Sequence, residues 1–197
     1  MRHQATPLGL EPQTETRQSM NRIVSDRHSD LRRAAFIGFA AGLRSQVPFF
    51  ALSRAAGNGT FAGDAGRPLS WLRVPRIQMM LGLSAAGEMI VDKAPFVPNR
   101  TDPGPLFGRV AIGAAAGAAI ATDAGAATVE GAVAGVIGAA IGSFAGRHGR
   151  AWLVRILRVP DFVVALAEDG LALGLGHHAA QRANALGSSP LTAPAAL

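Results

Sequence analysis

Apolar residues gather into five long stretches of the chain, each bounded by charge or by proline and glycine, and their lengths read as membrane-spanning helices. The first, Ala34–Leu52, follows Arg32 and Arg33 and carries Arg44 and Pro48 as internal blemishes. A Gly- and Pro-containing connection, Ser53–Pro75, follows it, with Trp71 among Arg67, Arg73 and Arg76 in the manner of an interfacial anchor. The second stretch, Arg76–Val91, ends in Asp92, Lys93 and Pro95 and gives way to a Pro-rich turn region that runs to Pro105. The third and fourth, Leu106–Thr122 and Gly131–Ala145, are almost entirely Gly, Ala, Val and Ile. A short interfacial helix is predicted at Ala151–Arg158, Pro160 restarts the chain, and the fifth span is Asp161–Gly176. This pattern predicts an all-α polytopic membrane bundle of about five transmembrane helices, built around a Gly/Ala-rich close-packed hairpin.

Small residues recur every four positions in that hairpin, as Gly113 and Gly117, Gly131 and Gly135, then Gly138, Gly142 and Gly146. In lipid such faces let helix backbones approach closely, whereas in water each glycine weakens a helix by about 1 kcal/mol relative to alanine. Three regions follow: a charged, disordered extension over residues 1–33, a membrane domain over 34–176, and a flexible tail over 177–197. With 49% hydrophobic and only 16% charged residues in 197, the composition agrees with one membrane domain. The net charge of +6 does not point to nucleic acid, because the basic residues sit at the ends of apolar runs without aromatic interleaving. Counted over five crossings, Lys and Arg favour a cytoplasmic N-terminus and an external C-terminus, with the basic connection at Arg67–Arg76 as the discordant piece.

Charge inside the apolar stretches is the main chemical clue. Arg44, Glu88, Asp92, Glu168 and Asp169 lie where an ionised side chain is costly unless paired or hydrated, so they predict a polar site between helices. Glu88 and Asp92, four residues apart, share one helix face and need a cation, a shared proton or water nearby. Lys93 and Arg109 are the cations expected to join them. Pairing of Arg44 with Glu88 is the simplest ion pair this set allows, and Asp123 and Glu130, bracketing the hairpin turn, read as solvated loop charges.

Three motifs occur in order: Gly42-Leu43-Arg44-Ser45 with Pro48; Gly87-Glu88 followed by Asp92-Lys93-Ala94-Pro95-Phe96 and Asn99-Arg100-Thr101; and Ala167-Glu168-Asp169-Gly170-Leu171-Ala172. With Gly108-Arg109 opening the Gly/Ala hairpin, they make the chain resemble the bacterial membrane family called domain of unknown function 4126 (DUF4126), over about residues 34–176. The resemblance implies a small polytopic protein of the bacterial inner membrane and implies no activity.

Two functions follow from the residues. One is a small transporter or channel whose internal charged site handles an ion, a proton or a small solute. The other is a non-enzymatic scaffold or assembly subunit that acts through its Gly/Ala helix-packing faces. The expected partners are the lipid bilayer and a second copy or another membrane protein, and no cofactor is expected. Enzyme chemistry has little support: the chain has no cysteine, no Ser-His-Asp arrangement, no His-Glu-x-x-His and no phosphate loop. His177 and His178 read as a solvated pair at a helix exit, and Met79, Met80 and Met89 as packing or lipid-facing residues rather than metal ligands.

Overall fold

The computed structural model describes residues 11–60, 70–91 and 101–181, and all of its regular elements are helical. They are α1 (Glu11–Leu43), α2 (Val47–Gly57), a short 3-10 turn (Ser70–Arg73), α3 (Pro75–Val91), α4 (Pro103–Ala124), α5 (Thr128–Leu157) and α6 (Asp161–Ala180). The predicted second, third and fifth spans correspond to α3, α4 and α6. The fourth span and the separate interfacial helix are one element, because α5 runs unbroken through Gly146–Gly149. It stops only at Arg158, which takes a left-handed conformation (φ 51°) just before Pro160 and donates its N–H to the Val154 carbonyl.

Residues 11–33, expected to be disordered, belong to α1; residues 1–10 of that expected extension lie outside the described residues. No proline follows Pro12 in this helix, and a proline in the first turn is tolerated. Arg27 bonds Glu130 with both ends of its guanidinium, tying the helix to the start of α5, and Arg33 pairs with Asp30 at 3.0 Å. His177 and His178, expected in a flexible tail, belong to α6, and the rest of that tail from residue 182 lies outside the described residues.

The largest departure lies in the first apolar stretch, which is two helices rather than one. Pro48, in the first turn of α2, has no N–H with which to continue the ladder of α1, and the break falls at Arg44-Ser45-Gln46. Beyond it the chain turns back. Gly176 of α6 lies against Val47 and Ala51, while Ala51–Ala56 share one cluster with Ile37 of α1, Ala116–Ile120 of α4 and Ala179–Ala180 of α6. Thus α2 retraces the level that α1 has just crossed, and Arg44–Gln46 is the tip of a helical hairpin inside the bundle.

Helix α3 then runs the other way along α2, with Gln78 bonded to the Ser53 and Leu72 carbonyls at one end and Glu88 reaching Ser45 and Gln46 at the other. Helix α4 returns, α5 runs parallel to α1, and α6 comes back to the starting end. There the Arg33 Nε donates to the Ala179 carbonyl at 3.0 Å. The first and last helices meet at one end of the bundle, together with the α4–α5 turn and the connection into α3.

Glycine sets the spacing of α1, α4 and α5. A Cβ at Gly117 or Gly135 would overlap the carbonyls of Gly131 and Gly113 across the α4–α5 seam, and one at Gly138 or Gly142 would overlap those of Ala35 and Phe39 in α1. Helix α1 answers with Gly38 and Gly42, which press on Gly135, Ala139 and Ser143. Gly38 and Gly42 extend the four-residue glycine spacing of α4 and α5 to α1. The opposite face of α5, Val133, Ile137, Ile141 and Phe144, is exposed and wholly apolar. Helices α4 and α5 are long and apolar enough to cross a membrane, and only 39% of each apolar window is buried.

Substituting Gly135 with Val should destabilise the folded protein by about 1–3 kcal/mol or more, because backbone on both sides must move. Gly170→Ala, where a Cβ meets open space, should be neutral or stabilising by up to about 1 kcal/mol. Thermal unfolding in detergent separates the two; equal effects would contradict the packing described.

Candidate functional site

A helix break leaves backbone groups without partners, and in an apolar interior each must find one. At the α1–α2 break these partners are charged side chains from other helices. The Ser45 and Gln46 N–H groups donate to the two oxygens of Glu88, at 2.7 and 2.9 Å. Gln46 caps α2 with no side-chain bond of its own, and its backbone N–H is held by the carboxylate from α3. On the other side of the break, the Gly42 carbonyl accepts from the Arg109 guanidinium at 3.0 Å and from Ser143 at 3.4 Å, and the Leu43 carbonyl accepts from Arg44 at 3.2 Å. The negative C-terminal end of α1 thus meets cations and the positive N-terminal end of α2 meets an anion, as helix dipoles favour.

These charges are also paired with one another. Arg44 donates through Nε to Asp169 of α6 at 2.6 Å, and Arg109 lies 3.5 Å from Glu88. Arg44 is the largest fully buried side chain among the described residues, Arg109 and Asp169 are buried, and Glu88 is half-buried. Three helices, α3, α4 and α6, and the α1–α2 break therefore each supply one charged group to a site at the level of the hairpin tip.

Of the seven residues singled out in the sequence, Arg44, Glu88, Arg109 and Asp169 converge here. The partners differ from those expected: Arg44 bonds Asp169, whereas Glu88 holds backbone N–H groups and Arg109. Glu168, the neighbour of Asp169, is also buried and lines a groove on α6. Asp92 and Lys93 lie outside the described residues. Sequence reasoning missed Ser45, Gln46 and the Gly42 carbonyl, which act through backbone atoms and leave no signature in residue type beyond the Pro48 that makes the break. Asp123, read as a solvated loop charge, is buried, and Glu130 is engaged by Arg27. Among the described residues no group of three or more His, Asp or Glu is placed to hold a metal ion.

Glu168 faces a groove of about 230 Å³ between α1, α5 and α6. Phe39 and Leu43 of α1, Gly146, Gly149 and Leu153 of α5, and Val164 and Leu171 of α6 wall it. Arg150 stands in the same wall and bonds Asp161, Nε to Oδ1, at 2.7 Å. Gly146, expected to serve helix packing, is buried at this groove.

A family profile described as domain of unknown function (DUF4126) matches residues 33–182, a stretch that holds the hairpin, the site and the groove. Comparison with curated proteins and with solved structures gives no match.

Removing one member of a buried ion pair typically costs 3–5 kcal/mol, because the other charge is left uncompensated. Arg44→Met and Asp169→Leu should each destabilise by about that amount, and the double substitution should cost less than either alone. Denaturation of the four proteins in one detergent measures this. Costs that simply add would mean that the two side chains do not depend on each other.

Proposed function

Because the chain belongs to the DUF4126 family, whose description assigns no activity, we propose from the site itself that it is a bacterial inner-membrane protein moving an ion, a proton or a small solute. The observation that supports this reading is the hairpin tip, an interrupted helix whose exposed backbone ends meet inside the bundle, ringed by Arg44, Glu88, Arg109 and Asp169. Non-helical backbone at membrane depth is tolerated where it is buried in protein or lines a cavity, and in transporters half-helix ends of this kind supply the polar groups of the solute site. Two helices long enough to cross, the exposed apolar faces of α5 and α6, and the charge clustered inside favour lipid as the surrounding medium.

The hairpin also removes the discordance in the charge distribution. Arg17, Arg22, Arg27, Arg32, Arg33, Arg54, Arg73 and Arg76 belong to the end where α1 starts, against Arg147, Arg150, Arg155 and Arg158 at the other. By the positive-inside rule the first end is cytoplasmic, and the chain both enters and leaves there. The scaffold reading relied on Gly/Ala faces being offered to a partner. Gly113, Gly117, Gly131, Gly135, Gly138 and Gly142 instead use those faces within the chain.

Compartment-sensitive reporters fused to either terminus should both report the cytoplasm; an external C-terminal reporter would restore the five-crossing path. For transport, proteoliposomes should show uptake driven by an imposed proton or sodium gradient, or exchange of a solute from a broad panel. Glu88→Gln and Asp169→Asn, checked for folding by gel filtration, should lower that flux at least tenfold. A folded wild-type protein without flux across the panel would end the transport reading.

A further inference from the structure

We propose that a groove between α2 and α3 holds an anionic phospholipid of the cytoplasmic leaflet. Arg54 of α2 and Gln78 of α3 line one end of it, and Phe50 of α2 with Met79, Gly82 and Leu83 of α3 line the other, around about 620 Å³. Two contacts fix the register of these antiparallel helices: Gln78 donates to the Ser53 carbonyl at 3.1 Å, and Gly82 faces the Phe50 ring. Arg54 therefore stands at the end where α3 starts, and the apolar residues lie deeper. From Pro75 to Leu83 the groove follows α3 for roughly 12 Å, at about 1.5 Å per residue.

The chemistry of the groove changes along that length. Arg54 is the one ionisable group among its described lining residues, is exposed, and has no ion pair among the described residues. Arg76, in the first turn of α3, is a second exposed cation at the same end. Deeper in, the walls are aromatic and aliphatic, and Met79 and Leu83 are open to the surroundings. By the charge distribution the cationic end is the cytoplasmic one, where anionic headgroups gather and basic pockets between spanning helices take them up. A guanidinium matches the phosphate of such a headgroup, and an acyl chain covers the apolar length. A zwitterionic headgroup would bring its own cation up to Arg54 and Arg76, and a soluble anion would leave the apolar walls bare. A second copy laid two-fold on this face would bring those arginines towards their own equivalents. The inference rests on the reading of a lipid-embedded bundle with this end inside, and not on transport.

Native mass spectrometry of the full-length protein, delipidated in detergent and titrated with dioleoylphosphatidylglycerol or dioleoylphosphatidylcholine, tests it. One saturable adduct is expected, at least fivefold tighter for the anionic lipid. Arg54→Gln should weaken that lipid about fivefold, the weight of one basic side chain at an anionic surface, and leave the zwitterionic one unchanged. Gly82→Leu should block both, because its side chain enters the groove and only the Phe50 ring edge has to yield. Arg155→Gln, which removes an exposed charge from the opposite end, should change nothing. Equal affinity for the two lipids, an equal loss with Arg155→Gln, displacement by glycerol 1-phosphate at matched concentration, or a dimer mass in place of the adduct each overturns the proposal. Melting temperature certifies the variants, and if Gly82→Leu does not fold, the two arginine variants decide. Lipid adducts and flux are separate measurements, so either reading can fall alone.

Discussion

An interrupted helix inside an apolar bundle must have its loose N–H and C=O groups bonded, and most of this molecule's polar architecture answers that requirement. Each buried group left without a partner costs about 1–3 kcal/mol, and more where it is charged. Glu88 takes the two N–H groups at the start of α2, and Arg109 and Ser143 take a carbonyl at the end of α1. Arg44 at the break itself brings in Asp169 from α6. The position of each charge along its own helix is thus dictated by one three-residue break. A charge on α3, α4 or α6 placed one turn away would miss it.

Around this polar centre the bundle divides into parts of different stiffness. Helices α1, α4 and α5 touch backbone to backbone through glycine and leave no room for adjustment. Helix α3 packs chiefly on α2 and the turn before it, and Ala85 is its one buried apolar residue among those described. Glu88 therefore sits on the least supported helix and bonds to the backbone of the break. A chemical event at the tip that weakened those bonds would be felt first as movement of α3, whereas the glycine seam would stay fixed.

Local features of the sequence were enough to read the α3, α4 and α6 segments, the start of α5 and the close-packed hairpin, because apolar runs, prolines and glycine spacing are all local signals. That Arg44, Glu88 and Asp169 turn inward was also legible, since charged groups in such runs have few other places to go. Reversal of the chain at Arg44 was not. Ala34–Leu52 is apolar apart from Arg44-Ser45-Gln46, and one short polar step with a proline looks alike in a kinked span and in a turn. Partner identity was hidden for another reason: Asp169 is 125 residues from Arg44, and nothing local distinguishes it from Glu88 or Glu168. The helical character of residues 11–33 depends partly on Arg27 finding Glu130, a contact that composition does not encode.

The same separation governs biogenesis. Arg44 leaves the ribosome long before Asp169, and a gap of 125 residues at roughly 5–20 residues per second means about 6–25 s. During that interval the guanidinium has no carboxylate from α6, and Arg33 has no Ala179 carbonyl to hold. The opening hairpin therefore has no finished seat until α6, the last of the described helices, is made. Assembly order in this protein is set from its C-terminal end.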